Sequence, residues 1–359
     1  MKTYFIFFLI ITAVIFVQPI HAQSQNNDKK LNDIFYKAIY EYDHGSMEKA
    51  VELLEECLDS EPDNAIFMYE LASANYMLKN YDISIKICKK LIKHKDSNFM
   101  AYQLLGNAYD FKGNYEKALK TYDDGLKRFP NSARLYFEKA ITYYSLDKIN
   151  NAILNWETAV DLEPGYASSY YFLTKVFSES SEPIWSIIYG EIFLNIEPGT
   201  KRSLDISKIL YDTYKRAISF EGDKVNIKMS KQISQETLPF TLNYELTQGL
   251  CSIAMNKTFS IKSLIELRKE FAKVWSDKYS EKFPLEIVNR HNKLIENGHF
   301  EAYNYWLFSE GDKEEFNTWF EKNEQKFHDF GKWTENNPFS IDSTNYFSMR
   351  VIIKLCRDK

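Results

Sequence analysis

The sequence predicts an all-α chain: an α-solenoid of five helical hairpins plus a capping helix, followed by a mostly helical C-terminal module. Three observations predict it. Proline recurs at Pro62, Pro130, Pro164 and Pro198, separated by 68, 34 and 34 residues, and Asp96 stands at the vacant step. Small residues keep the same phase, and a period of 20–50 residues marks stacked repeats. The composition, 45% apolar and 26% charged with 12 Gly and 9 Pro in 359 residues, suits ordered helical protein and not low complexity.

From the N-terminus, Lys2, an uncharged apolar stretch Tyr4–Val17 and Ala22 before Gln23 fit a secretory signal peptide over 1–22. The stretch is short for a spanning helix, which needs about 20 residues. The mature chain is therefore expected to be exported, periplasmic or secreted, with no membrane span. Residues 23–30 read as a disordered linker.

The period frames five units at 31–64, 65–98, 99–132, 133–166 and 167–200. Their eighth positions are Ala38, Ala72, Gly106, Ala140 and Thr174, and their twentieth are Ala50, Ser84, Ala118, Ala152 and Ser186. Small side chains there let two helix backbones approach, and larger residues at positions four and twenty-four fill the gaps beside them. A turn is expected at position fifteen, where Gly45, Gly113 and Asp147 fall. Proline at position thirty-two stops the second helix. In the fifth unit, Pro183 near the start of the second helix and Gly190 within it suggest a distorted pair or the end of the regular array.

These markers resemble the tetratricopeptide repeat. The third unit carries Tyr102, Leu105, Gly106, Tyr109, Gly113, Tyr115, Ala118, Tyr122 and Pro130 where that family places its signature residues. The resemblance covers 31–200, about half the chain, and implies a concave face lined by positions two, five, nine, twelve and thirteen of each first helix. The ligand-binding residues it implies are Phe35, Tyr42, Tyr69, Tyr76, Gln103, Asn107, Phe137, Tyr144, Tyr171 and Lys175. Aromatic rings bury much area at little rotamer cost. About 100 Å² covered on each of five rings would give about 12 kcal/mol gross, before association costs. A carboxylate clamp is not expected, because only Asn107 and Lys175 supply suitable groups and they lie two units apart.

Past Thr200, Leu204, Ile209, Leu210, Tyr214 and Ile218 give 201–218 the periodicity of a capping helix. Residues 219–239, with Gly222, Pro239 and the alternation Val225, Ile227, Met229, read as an extended crossing or hairpin. The module at 240–359 is helical by pattern, including Ile261–Trp275 and a hairpin turning at Gly311–Asp312.

Site chemistry is sparse. There is no HExxH, CxxC, GxSxG or phosphate loop, and no cofactor, metal or catalytic residue is expected. His291 and His299, eight apart across a helix end, read as solvated or capping residues. The acids of Phe308–Phe316 suit a turn and a helix N-terminus. Four cysteines permit two bridges in three pairings, and the residues do not choose among them. Cys57 and Cys88 fall on apolar helix faces, where cysteine packs as a small hydrophobe. A formal net charge of -5 and the lack of a long basic run argue against nucleic acid.

The expected function is an exported scaffold whose groove binds a peptide or protein segment, within a cell-envelope assembly. The alternatives are an enzyme with its catalytic residues in 240–359, discriminated by an open pocket of perturbed ionisable groups, and a glycan binder, discriminated by a row of coplanar exposed rings.

Overall fold

The small residues of the repeat phase lie where helix pairs touch. Ala38, Ala50, Ala72, Ser84, Ala118, Ala140, Ala152, Thr174 and Ser186 are all fully buried. This computed structural model describes residues 25–357 apart from 223, 231–233 and 256–257. The expected signal peptide lies outside the described residues. The architecture is all-α, with seventeen α-helices among those residues and one two-stranded antiparallel sheet. The chain falls into two compact units that part between Ser97 and Asn98.

The first unit holds α1 (Gln25–His44), α2 (Met47–Ser60), α3 (Ala65–Met77) and α4 (Tyr81–Leu91). The expected linker at 23–30 is corrected here: the chain is helical from Gln25, because no Gly or Pro interrupts 25–44 and the polar start continues into α1. Asn64 caps α3 by accepting from the backbone N–H groups of Ile66 and Phe67. Ala38, Leu54, Leu71 and Ala74 form the core.

The second unit continues in the same phase with α5 (Phe99–Phe111), α6 (Tyr115–Arg128), α7 (Ala133–Ser145), α8 (Ile149–Leu162), α9 (Ala167–Ser178) and α10 (Pro183–Ile196). Position fifteen makes the turn inside three hairpins with left-handed backbone, at Lys79 (φ 64°), Gly113 (φ 75°) and Asp147 (φ 58°). The pair α9/α10 is not distorted. Pro183 occupies the first turn of α10, where its missing N–H costs nothing. A Cβ on Gly190 would lie 2.7 Å from Leu210 and 2.9 Å from Thr174, so glycine there permits a close approach.

α11 (Lys201–Ala217) follows, started by a reciprocal capping box between Thr200 and Ser203. Strands β1 (Ile218–Glu221) and β2 (Lys224–Ile227) form a hairpin, pairing Ile218 with Ile227 and Glu221 with Lys224. The rest is α12 (Leu238–Cys251), a 3-10 turn (Ser252–Ala254), α13 (Ile261–Lys278), α14 (Glu286–Glu296), α15 (Phe300–Leu307), α16 (Lys313–Asn336, kinked at Asn323) and α17 (Met349–Arg357). These helices share one continuous core with α7 to α11, with Trp156, Trp185, Tyr189, Phe240, Trp275 and Phe283 inside it. The C-terminal module is therefore packed into the same unit as the third to fifth hairpins. All four cysteines are free, and burial pushes the Cys57 and Cys251 thiols up to about 11 and Cys88 to about 12.

Candidate functional site

In the first unit, the groove positions on α1 and α3 place Phe35, Tyr42, Tyr69 and Tyr76 half-buried on one side of the hairpins. Phe35 packs on Phe67 at 5.0 Å between ring centroids, and Tyr76 meets Tyr81 edge-on at 5.6 Å. The Tyr42 hydroxyl shares a 2.9 Å hydrogen bond with Ser73 Oγ across the two helices. Two carboxylates stand beside these rings. Burial, then the charge of Asp43, raises the Glu70 carboxyl to about 7. The same two carboxylates, after burial, push the Tyr42 phenol up, and burial with Glu70 does so for Tyr69. Neither Asp43 nor Glu70 has a hydrogen-bond or ion-pair partner among the described residues.

In the second unit the corresponding face differs from the expectation. Phe137 and Tyr171 are only 7% and 8% exposed. Phe137 is enclosed by Tyr166 and Phe172, at 5.0 and 5.8 Å between centroids. Tyr171 is packed by Phe193 and flanked by the Lys175 ammonium and the Arg202 guanidinium. These two rings pack against neighbouring repeat helices and α11. Tyr144 alone of the predicted aromatics here is exposed, resting on Trp156 and Phe172.

Polar side chains of α5 and α7 bond to one another across the two helices. Gln103 Nε2 donates to Glu138 Oε1 at 2.8 Å, and Thr142 Oγ1 donates to Asp110 Oδ1 at 2.7 Å. Asn107 Oδ1 accepts from the Tyr122 hydroxyl at 2.6 Å, so half of the amide already serves the fold. Burial raises the Glu138 carboxyl, against the lowering effect of its bonds from Gln103 and Asn107.

The hydrogen bonds that tie the C-terminal helices to the repeats land on α8, α10 and α11. Met349 N–H donates to the Tyr189 hydroxyl at 2.8 Å, Ser348 Oγ to Asp161 at 2.8 Å, and the Tyr211 hydroxyl to Asp312 at 3.1 Å. Asn195 Nδ2 donates to the Tyr303 hydroxyl at 2.8 Å.

The densest ionisable cluster lies behind that contact. Glu191 accepts from Arg268, from His291 Nε2 at 2.6 Å and from the Tyr303 hydroxyl at 2.7 Å. Burial alone would push the Glu191 carboxyl up, but Arg268 and His291 outweigh it and hold the group at about 2. Burial lowers His291, against the raising effect of Glu191, and its Nδ1 has no hydrogen-bond partner among the described residues. The reading of His291 as solvated or capping is corrected: it is 4% exposed and part of a salt-bridged core. His299 does stand at the N-cap of α15. Glu191, Arg268 and Tyr303 are 2% exposed or less, so the cluster is sealed from solvent.

Two open depressions each have a volume of about 490 Å³. One, at α15 and α16, includes Tyr305, Asp312, Glu315 and Trp319. Its acids have structural duties: Asp312 caps α16, and Glu315 accepts from the N–H groups of Ile261 and Lys262 at the start of α13. The other includes Phe129, Pro130, Arg134 and Glu163, the last two joined in a two-point ion pair at 3.1 and 3.2 Å.

Family profiles described as tetratricopeptide repeat match residues 37–98 and 99–142. These residues carry tetratricopeptide repeats. The TPR repeat-containing protein YpiA of Bacillus subtilis (strain 168) is 26% identical over 139 residues, which are 38% of this chain. The match spans about a third (32%) of that relative's length. Among solved structures the chain is similar to TTC0263, a thermophilic TPR protein of Thermus thermophilus. That likeness has 19% identity and a TM-score of 0.43, over 51% of this chain and 98% of the other. It is also similar to MamA 41-end from Desulfovibrio magneticus RS-1, at 21% identity over 46% of this chain and 93% of that one, with a TM-score of 0.38. A third is Pseudomonas aeruginosa pilF, at 16% identity, 53% and 86% coverage and a TM-score of 0.46. The profile matches stop at residue 142, while α8, α9 and α10 keep the tetratricopeptide phase through their buried small residues at Ala152, Thr174 and Ser186. No helix among the described residues is long and apolar enough to cross a membrane.

Proposed function

We propose that this chain is an exported binding scaffold without turnover, whose first-helix face takes an extended protein segment. The observation that carries the reading is the face of α1 and α3, where four half-buried rings stand beside two unpaired carboxylates. Half-buried rings offer apolar area that a ligand can cover, and Glu70 and Asp43 favour a segment with a basic residue. The C-terminal helices support the same reading, since their hydrogen bonds to the repeats fall on α8, α10 and α11. Export rests on the apolar leader pattern over 1–22, and a place in an envelope assembly rests on the resemblance to exported repeat proteins.

An enzyme in 240–359 is less well supported, because the perturbed ionisable cluster there is sealed from substrate. A glycan platform is also less well supported, because Phe35 and Phe67 are inclined by 42° and Tyr76 and Tyr81 by 62°, where a sugar-stacking row needs coplanar rings. The test is selection of binders from a random linear peptide library on the full mature chain, followed by fluorescence anisotropy with the selected peptides. Tyr69→Ala with Tyr42→Ala should weaken them at least about tenfold, with an unchanged circular dichroism spectrum. Peptides that bind the folded double variant as well as the parent would remove this face from the function.

A further inference from the structure

α12 has two unlike sides. Phe240, Thr241, Tyr244, Thr247, Gln248 and Cys251 are buried in the core of the second unit. The opposite side carries Leu242, Leu246 and Leu250, continued by Ile253 in the following turn, at 46%, 55%, 63% and 86% exposure. Their spacings of four, four and three make a single ridge along the helix. The only other exposed residue between Leu242 and Ile253 is Gly249. Large apolar side chains scattered singly on a surface are ordinary, but an unbroken row on one helix face marks an interaction surface.

Two features of this ridge decide its occupant. It is uncharged: the one ionisable residue of α12 beside the buried Tyr244 and Cys251, Glu245, is turned inward and accepts from the N–H groups of Met229 and Ser230 at 2.8 and 2.9 Å. Pairing the ridge with itself therefore brings no like charges together, although the chain has a net charge of -5. It also carries both halves of a fit. A Cβ on Gly249 would meet nothing within 4 Å, so no neighbour in this chain requires a glycine there. A glycine inside a helix is less favourable than alanine. What it provides is a notch beside the knobs Leu246 and Leu250.

We infer that the α12 ridge is a homodimer contact, in which α12 packs antiparallel against α12 of a second copy. A two-fold axis near Thr247 and Gln248 sets Leu242 against Ile253 of the second copy, and Leu246 against the notch at its Gly249. Each contact is then made twice, as an isologous interface requires. The ridge is about 17 Å long at 1.5 Å per residue, and at a helix width of about 10 Å it offers on the order of 200 Å², well short of the roughly 800 Å² per partner of a standard interface. The dimer is accordingly a weak, concentration-dependent one.

Sedimentation velocity on the mature chain from about 1 to 200 µM, a range that brackets the micromolar scale, tests this. The expected result is a monomer–dimer equilibrium whose dissociation constant rises at least about tenfold in Leu246→Glu, where two carboxylates face apolar surface. Gly249→Leu should weaken it similarly by filling the notch. Both substitutions are at exposed positions, and unchanged circular dichroism and tryptophan fluorescence confirm the fold. A monomer throughout the range overturns the inference, as does a dimer indifferent to Leu246→Glu. Flotation with phosphatidylethanolamine–phosphatidylglycerol vesicles separates the remaining occupant. A monomer that floats, floats more strongly as Gly249→Leu and is lost as Leu246→Glu would assign the ridge to lipid and overturn self-pairing.

Discussion

Removing Glu191 should strand a cation in the core. Among the described residues the carboxylate is the one anion paired with Arg268, and Arg268 Nε and Nη1 already lack partners there. Taking away one member of a buried ion pair costs about 3–5 kcal/mol, because the other charge stays desolvated. Glu191→Ala is therefore expected to lose about that amount, a large part of a typical domain's stability. Glu191→Leu combined with Arg268→Met removes both charges at similar volume, and the pair should cost about half as much or less. Urea denaturation followed by tryptophan fluorescence is a suitable assay, since all six tryptophans lie at or beyond Trp156 and report only the second unit. The pH dependence has a definite sign. The folded carboxyl sits at about 2, below its ordinary 4.5, so its contribution is present above pH 4.5 and lost as pH falls towards 2. The deficit of Glu191→Ala should narrow over that window. A loss under about 1 kcal/mol at pH 7, or a double variant as damaged as the single one, would refute a salt-bridged core.

Three further outcomes follow from substitutions at single positions. Glu157 is pushed up to about 7 by burial, against the bonds it accepts from the Tyr189 hydroxyl and the Arg350 N–H. Its contribution is thus present below pH 4.5 and lost as pH rises through 7. The second unit should lose up to about 3 kcal/mol between pH 5 and 8 by urea titration, and Glu157→Gln should flatten that slope. Gly106→Ala would put a Cβ 2.2 Å from the Tyr122 ring, which the bond to Asn107 holds in place, and should cost about 1–3 kcal/mol by denaturant midpoint. Gly165→Ala, with nothing within 4 Å of the added atom, should stay within about 0.5 kcal/mol of the parent.

The repeats were legible because their determinants are local. A hairpin needs a small residue at Ala140 facing one at Ala152, a left-handed residue at Asp147 between them, and a cap such as Ser132 in front, all within one 34-residue window. The same rules point Phe137 and Tyr171 towards the groove, and that direction says nothing of the bulk beside them. Phe172 and Tyr166 close over Phe137 because the neighbouring positions carry large rings, a property of pairs of units and not of one. The partners of Glu191 had no local signal. Its partners lie 77, 100 and 112 residues away, so the sequence around His291 shows only a histidine near a helix end. One clue was available: Glu191 is a charged residue in the helix Pro183–Ile196, otherwise apolar on nearly every side, and such a residue needs a buried partner.

α10 explains why the C-terminal helices belong to the fold of the second unit. Eleven of its fourteen residues are buried, from Ile184 to Leu194 without a break. A second helix of a repeat normally shows solvent one polar face, and α10 has none to show. Its outward side is covered by Phe240, Phe347 and Tyr303, and Glu191 is bonded there to α13, α14 and α15. The module thus completes the last hairpin as a capping repeat would, and it does so on the second-helix side. Capping from that side keeps the module's hydrogen bonds on α8, α10 and α11, which is what the proposed binding role would require. It also gives α12 its unusual position: one side of the helix is committed to the cap, and the leucine ridge on the other is left over for a second copy.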